Sequence, residues 1–521
     1  MAATALAQTL LENDPASSIL ILDVGQRVKT KDFGIWENYL VTGQLPYSGS
    51  KDLPYPARET PGENENAGSR EVPLEGARLF AYGGSTHHWG GWSFRLKPED
   101  FRLKSNTGEG LDWPFDYDSL EPYYCRAEEH LAVSGDSEDT LVRRSRPYPF
   151  AAFPMTLEDE PIAGALNALK IGYGHLPIAR RGVSAKPSRH APCQTTGTCK
   201  YCPFGARYVA CNYLDDLREW NDFPNLRVEL GAMVLAIRMN GKRRAEGVLY
   251  IERETGKTVA VDAERVVIAA GAIESANLLR RSATSEWEHG IGNDADLVGR
   301  HLTTHPYFTF SAILPSNPLR LQPEMDFPTL VSRHFDSPEE QRTGKFMFIA
   351  PPRTVDISLA RLMQSGATRA AIDAKLTGPN TITIQGMLEV FGRFENRVSP
   401  MRSTNRFGLP MTSVCYKEDA GFTARMKEIE TKIHIIFNEI SATPDGQGTV
   451  SWRADHAASV CRMGMNEAEG VVDPNLRVHG VDNLYVISNG VFPNLGAVNP
   501  TLTLTALALR LGDHLCDTGV G

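Results

Sequence analysis

The stretch RVVIAAGAIESANLLRRS, residues 265–282, decides the fold class. Its first half, RVVIAAGA, is a short apolar run ending in small residues, which predicts a buried β-strand. Its second half, IESANLLRRS, predicts a helix that follows directly. A buried strand that runs into a helix is the unit from which α/β folds are built, so the sequence predicts an α/β architecture.

The segments at the N-terminal end fit the same architecture. AATALAQTLLEN, residues 2–13, is rich in Ala and Leu and predicts a helix. The run SSILILDVG then predicts a buried strand with Asp23 at its carboxyl end. Helix, strand and terminal acid match the second half of a dinucleotide-binding βαβ unit, in which the acid binds ribose hydroxyls. Any helix–strand pair shares part of this pattern, so the pattern alone does not establish the unit.

A complete unit of this kind opens with a strand and a G-x-G-x-x-G loop that cradles the pyrophosphate. The helix predicted at residues 2–13 comes after the point where both would stand. We therefore expect the first strand and the glycine loop to be missing from this sequence.

The rest of the chain predicts three parts. Residues 226–273 alternate in strand fashion and read as a β-meander, and the Pro- and Gly-rich residues 43–75 read as an extended loop. Residues 305–450 hold several strand-like runs and a long helical segment near 422–440, and a last helix starts at Pro500. The predicted organisation is a Rossmann-like domain at residues 1–304 that includes a Cys-rich segment at 193–211, a sheet-rich domain at residues 305–450, and a return to the first domain at residues 451–521.

Composition and charge exclude two classes of function. The 521 residues carry a net charge of −9, which argues against a general nucleic-acid binder, because phosphate contacts need a basic surface. No run of 18 apolar residues predicts a membrane span, and the first residues lack the basic region of a signal peptide. We expect a cytoplasmic protein, and the sequence leaves its oligomeric state open.

Several long motifs, in order along the chain, resemble the glucose–methanol–choline (GMC) oxidoreductases. They are GGSTHHWGG at 83–91, DWPFDYDSLEPYYCRAEEHLAVSG at 112–135, RVVIAAGAIESANLLRRS at 265–282, LVGRHLTTHP at 297–306, HAASVCRMG at 456–464, and NLYVISNGVFPNLGAVNPTLTLTALALR at 483–510. Residues 305–450 resemble the family only loosely. The resemblance implies an FAD-dependent enzyme, in which residues 1–304 form a Rossmann-like FAD-binding domain and residues 305–450 a sheet-rich substrate-binding domain. The motifs are most similar to the pyranose oxidase and sugar dehydrogenase branch.

The resemblance also implies the catalytic pair. The family removes the hydroxyl proton of an alcohol with a histidine while hydride leaves carbon for flavin N5, and a second His or Asn stands beside that base. His456 and Asn499 match these two positions. A histidine accepts a proton near neutral pH, whereas an amide only hydrogen-bonds. We therefore assign the base to His456 and substrate orientation to Asn499, although a lone histidine in this place is often structural.

The loop AYGGSTHHWGGW, residues 81–92, resembles the glycine-rich flavin loop. In relatives with covalent flavin, a histidine of this loop bonds to the 8α-methyl group, and His88 stands in its place. His87 replaces the family's threonine. We leave open whether His88 forms the bond or only packs against the flavin. The residues that the resemblance places at the cofactor are Asp23, Gly25, Gly83, Gly84, Ser85, His88, Val234, Asn489, Gly490, Asn499 and Thr501.

Four of the eight cysteines fall in CQTTGTCKYCPFGARYVAC, residues 193–211. Clustered cysteines hold zinc or an iron–sulfur cluster in other proteins. Some sugar dehydrogenases of this type carry a three-iron cluster, and Cys193, Cys199 and Cys202 could supply three ligands. The alternative is a Cys-rich segment that only packs, since CPFGARYVACNYL is similar to metal-free relatives. The sequence assigns no other metal site.

The sequence thus predicts FAD-dependent oxidation of an alcohol group, on a sugar or glycoside, with oxygen or another acceptor taking the electrons. Two alternatives stay open. One is a sugar dehydrogenase whose iron–sulfur cluster passes electrons to a protein acceptor. The other is an FAD-deficient, truncated chain without activity.

Overall fold

The computed structural model describes most of the chain. The described residues are 1–27, 64–74, 77–139, 141–182, 190–195, 202, 204–221, 223–241, 243–315, 325, 327–352, 359–405 and 408–518. The loop predicted at 43–75 therefore falls largely outside them.

Helices occupy the predicted positions at both ends of the described chain. The α-helices are α1 Ala2–Asn13, α2 Leu103–Thr107, α3 Tyr117–His130, α4 Glu160–Ala168, α5 Ala210–Asp215, α6 Gly271–Arg281, α7 Leu359–Gln364, α8 Arg369–Thr377, α9 Phe422–Glu439 and α10 Thr501–Asp517. The predicted helices at 2–13, near 422–440 and after Pro500 are confirmed. None of the described helices is both long and apolar enough to cross a membrane.

The strands form several separate sheets. They are β1 Ile19–Asp23, β2 Asn64–Asn66, β3 Ser134–Gly135, β4 Phe150–Ala151, β5 Gly174–His175, β6 Leu226–Leu230, β7 Ala232–Asn240, β8 Arg244–Glu252, β9 Thr258–Asp262, β10 Val266–Ile268, β11 Pro306–Leu314, β12 Leu330–Ser332, β13 Phe346–Ile349, β14 Asn380–Leu388, β15 Arg397–Thr404, β16 Pro410–Cys415, β17 Thr443–Pro444, β18 Thr449–Trp452 and β19 Leu484–Val486.

The α/β part contains two pairs of parallel strands. β1 pairs with β6, so that Asp23 stands at the carboxyl end of its strand as predicted, and β10 pairs with β19. The meander predicted over 226–273 is narrower than expected, because only β7, β8 and β9 form an antiparallel sheet. β6 pairs with β1 instead of joining this sheet, because its Leu226 packs against Ala7 and Leu11 of α1.

The second part is a mainly antiparallel sheet in the order β17-β11-β14-β13-β12-β5, with β18 also paired to β11. Helix α9 contributes Ile429, Ile433 and Ile436 to the buried core of this region. β5 comes from residues 174–175, ahead of the predicted domain at 305–450. The predicted boundaries at 304 and 450 stay predictions.

Helix α10 packs between α1 and α3 and fixes the segment that precedes it. Gly512 lies so close to α1 that a Cβ there would come within 2.6 Å of the Thr9 side chain. Tyr124 of α3 and Thr503 of α10 share a buried hydrogen bond of 2.8 Å between their hydroxyls. Because α10 begins at Thr501, this packing also positions Asn499, two residues before the helix.

Candidate active site

His456 reaches its surroundings through the pairing of two strands. β18 runs antiparallel to β11, with Trp452 opposite Pro306, and a short 3-10 turn at Ala454–His456 follows it. This geometry brings His456 beside His305 and Tyr307. The Nδ1 atoms of His305 and His456 lie 2.9 Å apart, and the Tyr307 hydroxyl lies 3.0 Å and 3.1 Å from the two ring nitrogens of His456.

Asn499 completes the group on the other side of the ring. Its Nδ2 lies 3.3 Å from His456 Nε2, although the two residues are 43 positions apart in sequence. Its Oδ1 is buried and lacks a hydrogen-bond partner within the described residues. A buried amide oxygen without a partner is costly, so a ligand hydroxyl that donated to it would relieve that cost.

Burial controls the charge of both histidines. The pKa of His456 lies well below its ordinary value, because burial disfavours the imidazolium and because His305 and Arg453 repel it. Burial also lowers the pKa of His305 to about 4. Both rings are therefore neutral near pH 7, which leaves each with one nitrogen that carries a proton and one that accepts.

This electrostatic setting predicts a simple pH profile. We expect kcat/KM for an alcohol substrate to stay level from pH 8 down to the ordinary histidine pKa of about 6.5, and to fall only below it. The reason is that the base is already unprotonated across that range. Steady-state rates at limiting substrate in a series of buffers measure the profile, and an acid limb centred above pH 7 would contradict the expectation.

His305 and Tyr307 were not among the residues singled out from the sequence. Both lie within or next to the motif LVGRHLTTHP, but the motif alone does not say what they face. The contact with His456 spans 151 residues and depends on the pairing of β18 with β11. The signal that could have found them is the His-Pro step at the start of an alternating strand.

The loop that carries the two adjacent histidines folds into a short 3-10 turn at Gly84–His87. Gly83 and Gly84 adopt φ values of +93° and +57°, which residues with a Cβ rarely tolerate. His87 is buried, and its Nε2 donates to the Tyr82 carbonyl at 2.7 Å. His88 is half-buried instead. The two histidines therefore differ in surroundings, and His87 is committed to its own loop.

Arg207 holds this loop from the end of the Cys-rich segment. Its guanidinium is buried and donates to the carbonyls of His87 at 2.6 Å and Trp89 at 2.5 Å. Trp89 Nε1 in turn donates to the Tyr208 carbonyl at 2.9 Å, and Ala210 N donates to the Thr86 hydroxyl at 3.0 Å. The segment that carries the cysteines thus also acts as the scaffold of the glycine-rich loop.

We expect Arg207→Met to lower the free energy of unfolding by about 2–4 kcal/mol, because two buried carbonyls lose charged donors. FAD content after purification should fall as well, since the loop loses its anchor. Chemical denaturation and the ratio of flavin to protein absorbance measure the two effects. Arg218→Met, in the short helical turn Asp216–Trp220 that follows α5, is the matched control. Equal stability of the two variants would contradict the role of Arg207.

The remaining predicted cofactor residues fall into two groups. The Asp23 carboxylate accepts from Gly25 N at 2.8 Å and from Gly83 N at 3.4 Å, so it ties the end of β1 to the glycine-rich loop. Burial raises the pKa of Asp23. Gly25 packs on the backbone of Ala81, which a Cβ would approach to 2.2 Å. Ser85, exposed, lies within the same loop.

The second group, of Val234, Asn489, Gly490 and Thr501, lies further along the chain. Gly490 accepts at its carbonyl from Cys461 N at 2.7 Å, and Asn489 beside it has a buried Oδ1 without a partner within the described chain. Val234 offers its carbonyl to Arg281 at 3.0 Å. Thr501 is the first residue of α10.

These residues fit FAD at several points. The buried oxygens of Asn489 and Asn499 are free acceptors for ligand O–H or N–H groups. A Cβ at Gly84, or at Gly271 at the start of α6, would have no neighbour within 4 Å. The backbone at these two glycines therefore has room beside it for a flat ligand. The cysteine segment is only partly described: Cys193 and Cys202 are half-buried, and Cys199 lies outside the described residues.

Two regions of the chain match the models of one enzyme family. Residues 167–307 match the N-terminal model of the GMC oxidoreductases, and residues 395–508 match the C-terminal model. The fructose dehydrogenase large subunit of Gluconobacter japonicus is 26% identical over 541 residues, covering 98% of this chain and 95% of the relative. The 6'''-hydroxyparomomycin C oxidase of Streptomyces lividus is 27% identical over 82% of this chain and 77% of the relative.

A solved structure shows the same fold. Pyridoxine 4-oxidase from Mesorbium loti superposes with a TM-score of 0.62 at 17% identity, covering 99% of this chain and 97% of that one. Family models match on both sides of the site, and His456 and Asn499 lie inside the C-terminal match. The chain therefore contains the N- and C-terminal domains of the GMC oxidoreductases and is an FAD-dependent oxidoreductase that acts on CH–OH donors.

Proposed function

We propose that this enzyme oxidises an alcohol group of a sugar or glycoside, with His456 as the base and Asn499 as the residue that orients the substrate hydroxyl. The observation that carries the proposal is the His456–Asn499 pair, whose facing atoms lie 3.3 Å apart beside an amide oxygen that has no partner. The names of two relatives, which act on fructose and on 6'''-hydroxyparomomycin C, support the choice of substrate class.

His456 and Asn499 have separate roles in this reaction. A substrate hydroxyl placed at His456 Nε2 gives its proton to that nitrogen, and Asn499 Nδ2, 3.3 Å from Nε2, can donate a hydrogen bond to the substrate oxygen. Because His456 is neutral, its acceptor nitrogen is ready without prior loss of a proton. Burial of the ring keeps water away from that nitrogen. FAD, when bound, supplies the hydride acceptor at N5 of its ring.

The proposal is tested by product analysis of the purified enzyme reconstituted with FAD. Sugars, glycosides and simple alcohols are incubated with the enzyme and an artificial electron acceptor, and products are identified by mass spectrometry. The expected product is a sugar or glycoside that has lost two hydrogens. Turnover of simple alcohols alone would contradict the substrate class, and absence of any turnover by the FAD-loaded enzyme would contradict the activity.

For the cofactor linkage, we propose His88 as the attachment point, because His87 is committed to Tyr82 while His88 is half-buried in the same turn. Acid-precipitated enzyme should remain yellow after washing, and His88→Ala should release its flavin while His87→Ala should not. Colour that washes away from the unaltered enzyme would show that His88 is only a neighbour of the flavin.

For the electron acceptor, Cys193, Cys199 and Cys202 remain candidates for an iron–sulfur cluster that passes electrons to a protein acceptor. Two of the three lie in the described part of the chain, in the segment that also anchors the glycine-rich loop. Metal analysis of enzyme purified without oxygen decides this point. Iron in proportion to flavin favours the relay, and its absence favours oxygen or another small acceptor.

A further inference from the structure

His305 sits between His456 and a backbone carbonyl, and this position fixes where its proton lies. Its Nε2 is 2.9 Å from the carbonyl oxygen of Gly496. A carbonyl oxygen only accepts, so His305 Nε2 carries a hydrogen and donates it. Since the buried His305 ring is neutral, its Nδ1 carries a lone pair and no hydrogen.

The same reasoning then applies to His456. The contact of 2.9 Å between the two Nδ1 atoms needs one hydrogen, and His305 Nδ1 has none to give. His456 Nδ1 therefore donates, and the neutral ring keeps its lone pair on Nε2. The Asn499 amide nitrogen, 3.3 Å from Nε2, agrees with this assignment because it has hydrogens to donate. The Tyr307 hydroxyl lies 3.0 Å from Nδ1 and 3.1 Å from Nε2 and can accept or donate, so it fits this tautomer as well.

The carbonyl that starts this chain of bonds is held rigidly. Gly496 has a φ of +57°, and a Cβ at this position would come within 2.8 Å of Leu96 and 3.1 Å of the Asp100 carboxylate. Asn494, two residues earlier, donates to the Asp100 carbonyl at 2.9 Å. The direction of the Gly496 carbonyl, and with it the proton position on His305, is therefore set by the fold.

We infer that His305 is a positioning residue that holds His456 in the tautomer whose Nε2 acts as the base. This inference rests on the proposed function of His456. When the substrate O–H bond breaks, its proton forms the Nε2–H bond of His456, and the ring becomes a cation. The existing Nδ1–H bond to His305 is then donated by a charged group, which strengthens it as the reaction proceeds.

Other groups that face the pair are few within the described residues. Arg453 and Asp455 lie on the loop of His456 and pair with each other at 2.6 Å. Tyr307 lies on β11, and Asp336 faces His305 from the loop after β12. Two of them lie within hydrogen-bond distance of His456 Nδ1: His305 Nδ1, which can only accept there, and the Tyr307 hydroxyl at 3.0 Å, which can accept or donate.

Two amide substitutions separate the acceptor from the rest of the side chain. His305→Asn places an oxygen near the former Nδ1 and keeps an acceptor for His456. His305→Gln can donate to the Gly496 carbonyl but offers no acceptor at that place. We expect anaerobic flavin reduction to slow about tenfold in the Gln variant, the scale of one hydrogen bond, and by no more than about threefold in the Asn variant. His301→Gln, on the same loop, is the control and should match the unaltered enzyme.

A spectroscopic readout does not depend on turnover. Nitrogen-15 NMR of histidine-labelled holoenzyme, with His456→Ala for assignment, reports which ring nitrogen of His456 carries the proton. We expect Nδ1–H in the unaltered enzyme and the Asn variant, and loss of that signature in the Gln variant. An Nε2–H signature in the unaltered enzyme overturns the inference, even if a variant fails to fold. Flavin reduction that is unaffected in His456→Ala overturns the proposed function instead.

Discussion

Replacing His456 with alanine is expected to slow anaerobic reduction of the enzyme-bound flavin by substrate by roughly 10²-fold or more, the usual scale for a positioned base. The substrate proton then has no acceptor within reach, since Asn499 can only hydrogen-bond and the burial of Tyr307 holds the pKa of its phenol well above the ordinary value. Stopped-flow absorbance with a saturating sugar or glycoside measures the rate.

The controls separate chemistry from folding. His479→Ala removes a histidine from the same C-terminal segment, where its ring contacts the Gly464 carbonyl at 3.3 Å, and should leave the rate unchanged. The FAD content and the unfolding midpoint of His456→Ala should stay near those of the unaltered enzyme. A His456→Ala enzyme that binds FAD and is reduced at a near-normal rate would refute the assignment of the base.

The second large effect concerns stability. Lys345 is fully buried and forms ion pairs with Asp100 and with Asp336, the latter at 3.0 Å. Lys345→Met is expected to lower the free energy of unfolding by about 3–5 kcal/mol, because it leaves the buried Asp100 carboxylate without its cation, while Asp336 keeps its pair with Arg333. Chemical denaturation of the FAD-loaded enzyme measures the loss. Asp100 of this cluster packs against Gly496, where a Cβ would come within 3.1 Å of the Asp100 carboxylate. Because this packing holds the segment next to His305, the variant should also lose FAD or activity.

Acid should partly rescue this variant. A buried carboxylate that has lost its partner has a folded-state pKa raised above its unfolded value, so the destabilisation is complete above the folded pKa and shrinks as pH falls through it. The deficit relative to the unaltered enzyme should therefore be smaller at about pH 5 than at about pH 8. Arg369→Met, which removes an exposed pair with Asp373 on α8, should cost less than about 1 kcal/mol. Equal losses in the two variants would contradict this account of Lys345.

The sequence predicts the local elements well, because they depend on contiguous residues. The strand ending at Asp23 and the helix after Pro500 both follow from short motifs or apolar spacing. The structure brings His456 and Asn499, which the family resemblance singled out, to 3.3 Å, and their catalytic roles stay predictions. The expected pairing of β6 within a meander is wrong, because a strand's partner is set by what its side chains pack against.

The parts of the site that the sequence does not predict depend on distant contacts. In the sequence, His305 is an ordinary residue of a loop, and only the pairing of distant strands places it beside His456. Arg207 is likewise an ordinary residue of the Cys-rich segment, and the folded chain places it against the carbonyls of the glycine-rich loop. Nothing in the local pattern of either residue gives the direction of its hydrogen bonds. That direction decides the tautomer of His456, and it comes from the Gly496 carbonyl.

The most direct test of the central claim is an anaerobic titration of the purified, FAD-loaded enzyme, followed by its visible spectrum. Sugars, glycosides and simple alcohols are added separately, with and without the His456→Ala substitution. We expect a sugar or glycoside to bleach the flavin of the unaltered enzyme and to bleach that of the variant far more slowly. A flavin that no CH–OH compound reduces, or that is reduced equally fast in both proteins, would contradict the account.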